Sequence, residues 1–258
     1  MNMRISGDGN IPAGEYDQVS VSGSGHLYGL VRCTSFSASG SAKGENIECA
    51  DSFRISGGSS FSGNVSANSI HVSGSFSCDG NVCAKEKLAV SGSMKCAKGV
   101  KCGQISVSGS LKCTENVKCD QLSVSGGLRA DADIEAEHAQ ISGSVDCAGL
   151  LNADTLEIKI GGGMNIGSIG GSDIVIMLNE GRSITLRLPL FSSLIKKSGK
   201  VCVESSIEGD NIALEYTVCP RVTGRVVAVG KGCEIDLLQY SEAFEISPEA
   251  KVGRTEKI

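Results

Sequence analysis

Tryptophan is absent, proline occurs only 4 times, and aromatic residues make up 4% of this 258-residue chain. Large aromatics usually fill wide cores, so their scarcity predicts a narrow interior lined by small and medium side chains. No run of about 18 apolar residues exists, which excludes a helical transmembrane span. The opening Met1-Asn2-Met3-Arg4-Ile5-Ser6-Gly7 lacks the apolar stretch and cleavage site of an export signal, so a cytoplasmic location is expected. No glycine-rich loop ending in Gly-Lys-Ser/Thr occurs, leaving nucleotide binding without support. The net charge of −5 gives no electrostatic reason to expect nucleic acid as a partner.

What the chain has is glycine, at 34 residues, and cysteine, at 12. Disulfide scaffolds are short, secreted and dense in cysteine. This chain is long and carries no export signal, so free thiols are expected.

The glycines keep a period. A residue followed by Ser-Gly recurs at Ile5, Val21, Ala38, Ile55, Val72, Val90, Val107, Val124 and Ile141, with glycine-to-glycine steps of 16, 17, 17, 17, 18, 17, 17 and 17. Such self-similarity marks a repeat architecture. The apolar residues repeat with it. After Gly109 they are Leu111, Cys113, Val117, Cys119, Leu122 and Val124; after Gly92 they are Met94, Cys96, Val100, Cys102, Ile105 and Val107. After Gly126 the set is Leu128, Ala130, Ile134, Ala136, Ala139 and Ile141.

Each set is three apolar pairs with period two inside the pair, the mark of a strand with one face inward. The gaps are too short for hairpins, so each is a corner. Three short strands and three corners per 17 residues describe one triangular coil of an all-β, single-stranded parallel β-helix. A right-handed coil is expected, because left-handed β-helices carry a hexapeptide period and parallel crossovers favour the right hand. The serine of each motif is expected outside, and its glycine at the corner, where positive φ is often required.

Regular coils are expected over residues 1–160. Beyond a glycine-rich transition at 161–171, strand-like runs stand at 174–178, 184–188, 201–203, 212–214 and 226–229. The stretch 190–200, with Lys196 and Lys197, reads as a surface loop. Residues 161–258 are read as irregular β-rich coils with a C-terminal cap, or as a separate small β domain.

The stack of Val-Ser-Gly coils resembles the bactofilin, or polymer-forming cytoskeletal, family. The run Ile207-Glu208-Gly209-Asp210-Asn211-Ile212-Ala213-Leu214-Glu215-Tyr216-Thr217 is similar to tails of a bacterial polymer-forming subgroup, as is Val229-Gly230-Lys231-Gly232-Cys233-Glu234-Ile235 with Tyr240. The resemblance implies a right-handed triangular β-helix that polymerises end to end without nucleotide. It also implies, in many members, attachment to the inner membrane face through a short N-terminal segment; here four residues precede the first coil motif.

Candidate chemistry is sparse. His26, His71 and His138 sit at different coil offsets. Cys78, Cys96, Cys113 and Cys147 recur four residues after the corner glycine, and Cys33, Cys102 and Cys119 ten after. Stacked thiols of this kind lie within disulfide range and can hold soft metals; a buried cysteine is also simply a small hydrophobe, and that reading is preferred. The closest spacing, Cys78 to Cys83, is not a zinc knuckle. Asp131, Asp133, Glu135 and Glu137 alternate along one coil and read as a solvated face.

Lys95, Lys112 and Arg129 share one outward offset on consecutive coils, beside Lys101 and Lys118. Such a ridge either meets anionic lipid or an acidic envelope-associated partner, or fences the rod against strand addition. The terminal coil, with Ile5, Ile11, Val19 and Val21, is the expected self-interface, since solenoids without polar caps expose apolar rungs. The expectation is therefore a non-enzymatic scaffold without a cofactor, whose partner is itself.

Overall fold

Branched residues spaced two apart, punctuated by Ser-Gly corners, leave the chain nothing to form but short strands with one buried face. The computed structural model describes residues 1–179 and 199–258. The expected run at 184–188 and most of the expected loop at 190–200, including Lys196 and Lys197, lie outside the described residues. Among the described residues every strand pairing is parallel, and there is no helix. The chain divides into two compact units, Met1–Glu137 and His138–Ile258.

In the first unit, long and short strands alternate along the chain and stack in separate columns. The long column runs through Met3–Ile5, Gly14–Val21, Leu30–Ala38, Asn46–Ile55, Val65–Val72, Val82–Val90, Val100–Val107 and Val117–Val124. The short column runs from Asp8–Ile11 to Gly127–Ala130. Each long strand bends once: in Val117–Val124, Asp120 and Gln121 both face outward in succession, which breaks the alternation and makes a third side. Val107 and Val124 are vertical neighbours. This unit is a three-sided parallel β-solenoid.

Of the apolar positions read from the repeat between Gly92 and Ile141, all but Ala136 are buried. Fully burying a Val, Leu or Ile is worth roughly 1.5–3 kcal/mol, so each rung contributes to one continuous apolar column. Aromatics are few but concentrated. Phe36 and Phe53 stack at 5.0 Å, and Phe61 and Phe76 close the cluster edge-on.

The corner glycines hold a different surprise. None of those in the Ser-Gly motifs has a positive φ. They are glycines because the rungs touch: a Cβ on Gly109 would stand 2.0 Å from the carbonyl oxygen of Gly92, and one on Gly92 would stand 2.0 Å from that of Gly74. Close backbone approach, not left-handed geometry, selects the residue.

A second ladder stands at another corner. The Asn46 Oδ1 accepts from the backbone N–H of Asn64 at 2.9 Å, and Asn64 Oδ1 from that of Asn81 at 2.9 Å. Asn81 passes the bond to Gly99 at 3.3 Å, and Asn116 to Asp133 at 3.2 Å. These side chains satisfy corner N–H groups that the strand ladder does not reach.

The second unit is also built of parallel rungs, with less regular steps. Ser144–Ile160 pairs with Met164–Leu178, so the glycines at 161–163 form a corner inside this unit. The next rung comprises Val201–Val203 and Ser206–Leu214, with Ile174 standing against Ile212, a step of 38 positions. Steps then fall to 15 from Ile212 to Val227, 16 from Val222 to Leu238, and 17 from Leu238 to Thr255.

Candidate functional site

Three features were marked by the sequence: the terminal rung, the basic ridge and the stacked cysteines. The expected self-interface is only partly accessible. Ile5 lies half-buried over Gly9, where a Cβ would meet its Cδ1 at 2.7 Å. Val19 and Val21 belong to the next rung, directly under Met3 and Ile5, and are 1% exposed. Ile11 is in the first short strand but is 0% exposed. The accessible apolar residues of this rung are therefore Met3, Ile5 and Tyr16. Tyr16 occupies the inward position above Cys33, and its hydroxyl donates to the Pro12 carbonyl at 2.9 Å. Sequence reading missed Tyr16 because its neighbours in the column are cysteines.

The ridge is real as geometry. Lys95, Lys112 and Arg129 are consecutive vertical neighbours, as are Lys101 and Lys118, and all five are exposed. Its far end is neutralised by the acidic residues that follow. Arg129 Nε pairs with Asp131 at 3.0 Å, and Lys118 Nζ with Glu135 at 2.6 Å. The Glu135 hydrogen bond holds the Lys118 ammonium above its usual range. Among the described residues, Lys95, Lys101 and Lys112 have no ion pair, so the free positive charge sits on two adjacent faces over two rungs. Such exposed, solvent-screened pairs add little to stability; their effect is to bound the patch, not to hold the fold.

The cysteines fall into columns, as the offsets required. Cys78, Cys96 and Cys113 are successive neighbours on one side, and Cys102 stands on Cys119 on another. Burial pushes Cys102 up to about 11 and Cys119 up to about 12. Cys113 is raised by the same cause. Cys78 Sγ donates to the Gly63 carbonyl at 3.2 Å and Cys96 Sγ to that of Gly80 at 3.3 Å. These thiols behave as small core residues tied to the backbone.

One pair differs, and the offset analysis overlooked it because the corner before Asn46 is one residue short, which puts Cys49 nine residues after its glycine instead of ten. Cys33 and Cys49 are vertical neighbours with sulfurs 3.4 Å apart. No group of three or more His, Cys, Asp or Glu among the described residues converges as metal ligands. His26 and His138 are exposed on different rungs, and His71 is half-buried with its pKa lowered by burial and by Arg54 and Lys87. No helix among the described residues is long and apolar enough to cross a membrane.

No family model matches the chain, and no solved structure matches it. Two curated proteins of Bacillus subtilis (strain 168) are similar to part of it. The chain is 31% identical over 112 residues to "Uncharacterized protein YhbE", covering 43% of this chain and 44% of that protein. It is 33% identical over 113 residues to "Uncharacterized protein YhbF", covering 43% and 42% respectively. The chain thus spans less than half the length of the curated relatives it matches.

Proposed function

We propose that this protein is a structural scaffold that self-assembles end to end, rung upon rung, without nucleotide. The observation that carries this reading is the rung of Met3, Ile5 and Tyr16. Its apolar residues are half-buried, whereas Val19 and Val21 one step below are 1% exposed. Among the described residues Met3–Ile5, Asp8–Ile11 and residues 14–16 have a parallel partner on one edge only. A strand edge beside an apolar surface is a template for another chain. Successive rungs are also nearly interchangeable: Val100-Lys101-Cys102-Gly103-Gln104-Ile105-Ser106-Val107 is followed one coil later by Val117-Lys118-Cys119-Asp120-Gln121-Leu122-Ser123-Val124. A rung supplied by a second copy meets the same pattern of bonds and the same apolar column. The resemblance of the Ser-Gly coils to the bactofilins supports the same reading. Pairing at both ends makes a filament and pairing at one end a closed dimer.

Electron microscopy of the full chain without nucleotide tests this. Assemblies are expected for the wild type and their loss for Ile5→Lys, which places a charge on a half-exposed site and leaves the core intact. Uniform wild-type monomers at low and high salt overturn the reading.

A second reading rests on the unpaired Lys95, Lys101 and Lys112: a rigid side face that recruits an acidic envelope-associated partner or the anionic inner membrane surface. Co-sedimentation with anionic vesicles that disappears in Lys95→Glu/Lys112→Glu, in a protein that does not assemble, favours it over the first.

A further inference from the structure

Cys33 and Cys49 turn their sulfurs to each other, whereas Cys78 and Cys96, which also interact, each donate to backbone carbonyls as well. The 3.4 Å separation exceeds a disulfide bond of about 2.05 Å by little more than a rotamer adjustment. A rung spacing of about 4.8 Å places their Cα atoms inside the range of roughly 4.4–6.8 Å that a disulfide accepts. Cys102 and Cys219, by comparison, turn their sulfurs to backbone carbonyls, of Gln104 at 3.0 Å and Arg221 at 3.1 Å.

The pair also has an approach. An open cleft of about 330 Å³ reaches both cysteines and is rimmed by Arg32, Glu48, Ser66, Cys83 and Lys85. Two local irregularities create it. In the two rungs beyond Cys49 the inward position shrinks to alanine, with Ala67 on Ala84. The corners there are also swollen: one residue separates Cys33 from Ser35, but Ala50 and Asp51 both lie between their partners Cys49 and Ser52. Lys85 and Glu86 do the same between Ala84 and Lys87. The two cysteines are each 6% exposed, and the cleft brings solvent to them without opening the core.

We propose that Cys33 and Cys49 are a reactive dithiol that exchanges with small, carboxylate-bearing disulfides and closes to a disulfide joining two successive rungs. Arg32 at this rim is held by Glu48 at 2.9 Å, which leaves Lys85 as the rim cation without an ion pair among the described residues, and it suits such an anionic reagent. Donation by the Cys49 thiol to the Cys33 sulfur, one of the two senses that the 3.4 Å contact allows, lowers the Cys33 pKa and raises that of Cys49, and in that sense Cys33 attacks first. Its thiolate attacks one sulfur of the small disulfide, the S–S bond of the reagent breaks, and one small thiol leaves with a proton. The Cys49 sulfur, giving up its proton, then attacks Cys33 and displaces the second small thiol. One protein S–S bond forms, one reagent S–S bond breaks, and two electrons and two protons pass from the protein to the reagent. The new bond clamps rungs separated by 16 positions of chain.

The test treats the reduced, folded full chain with oxidised glutathione, counts free thiols and maps linked peptides by mass spectrometry. Loss of two thiols with a Cys33–Cys49 peptide is expected, and it persists in Cys83→Ser/Cys202→Ser, which lacks the exposed cysteines. Cys49→Ser is expected to stop at a glutathione adduct on Cys33, whereas Cys33→Ser forms the corresponding adduct at least about tenfold more slowly. Circular dichroism checks that each variant is folded. Adducts confined to Cys83 and Cys202, or a Cys33–Cys49 link that appears only in denaturant, overturns the proposal.

Discussion

The two units reach the same parallel architecture by different means of keeping rungs in register. Met1–Glu137 relies on the backbone itself: corner glycines that admit no Cβ, and asparagines that hand a hydrogen bond to the next rung. His138–Ile258 ties its later rungs together through outer side chains. Arg225 donates to Glu242 at 2.8 Å and to Asn211 at 2.9 Å, while Gln239 bridges Thr223 and Glu256. Lys200 pairs with Glu234 at 2.6 Å, which holds the Glu234 carboxyl below its usual range. The first unit keeps its steps at 16 to 18 positions, whereas the second steps by 38 from Ile174 to Ile212 and then by 15 to 17. Regular sequence and regular structure thus accompany each other for a steric reason.

The largest effect that sharpens this contrast is expected at a corner glycine. Gly109→Val forces backbone apart where a Cβ would stand only 2.0 Å from a carbonyl oxygen and should destabilise by about 4–5 kcal/mol in urea unfolding, whereas Gly162→Ala, with no atom within 4 Å of its new Cβ, should change stability by less than about 0.5 kcal/mol. Equal effects at the two positions would dissolve the distinction.

An intermediate effect is expected from alkali. The folded pKa values of Cys102 and Cys119 lie above those of an unfolded thiol, so the stability they contribute is fully present below the unfolded pKa of about 8.5 and is lost as pH rises toward about 11 and about 12. At about 1.4 kcal/mol per pKa unit, these rises correspond to roughly 3–4 kcal/mol for each thiol. Replacing both by alanine should move the alkaline unfolding midpoint upward. In the second unit Cys219, pushed up by burial to about 11, is the corresponding single thiol, and Cys219→Ala should shift the midpoint less. A midpoint unmoved by the double replacement would show that other groups govern alkaline unfolding.

The smallest effects concern the ties themselves. Asn64→Ala removes the acceptor of a corner N–H and should cost about 1 kcal/mol, independent of salt. Arg225→Ala removes exposed ion-pair contacts and should cost less than about 1 kcal/mol, with the difference fading at high salt. Matching salt dependence for the two would erase the distinction between backbone and side-chain register.

The first unit was legible almost residue by residue because its period is short and its inside and outside alternate. The one misplaced inward residue, Ala136, lies where acidic residues crowd the coil, and Ile11, Val19 and Val21 were read as tip residues because spacing does not say which rung covers which. The asparagine column was present in the chain at Asn46, Asn64, Asn81 and Asn116, with Gly99 in the place between the last two; it was missed because polar repeats were read only as turns. The Cys33–Cys49 pair escaped for another reason: the corner before Asn46 is one residue short, so Cys49 stands nine residues after Gly40 where Cys33 stands ten after Gly23. The neutralised end of the ridge depended on how Glu135 and Asp131 lean, which no spacing reports.

By itself, the sequence determined that the chain winds in steps of about seventeen residues around an apolar column, because side-chain alternation and corner residues are local properties that repeat. Only the tertiary structure decided which glycine carbonyl lies against which Cα, which thiols face each other, and which lysines remain unpaired. Those outcomes depend on contacts between rungs, where a bulge of one residue or the lean of one carboxylate changes the partner while leaving the period untouched.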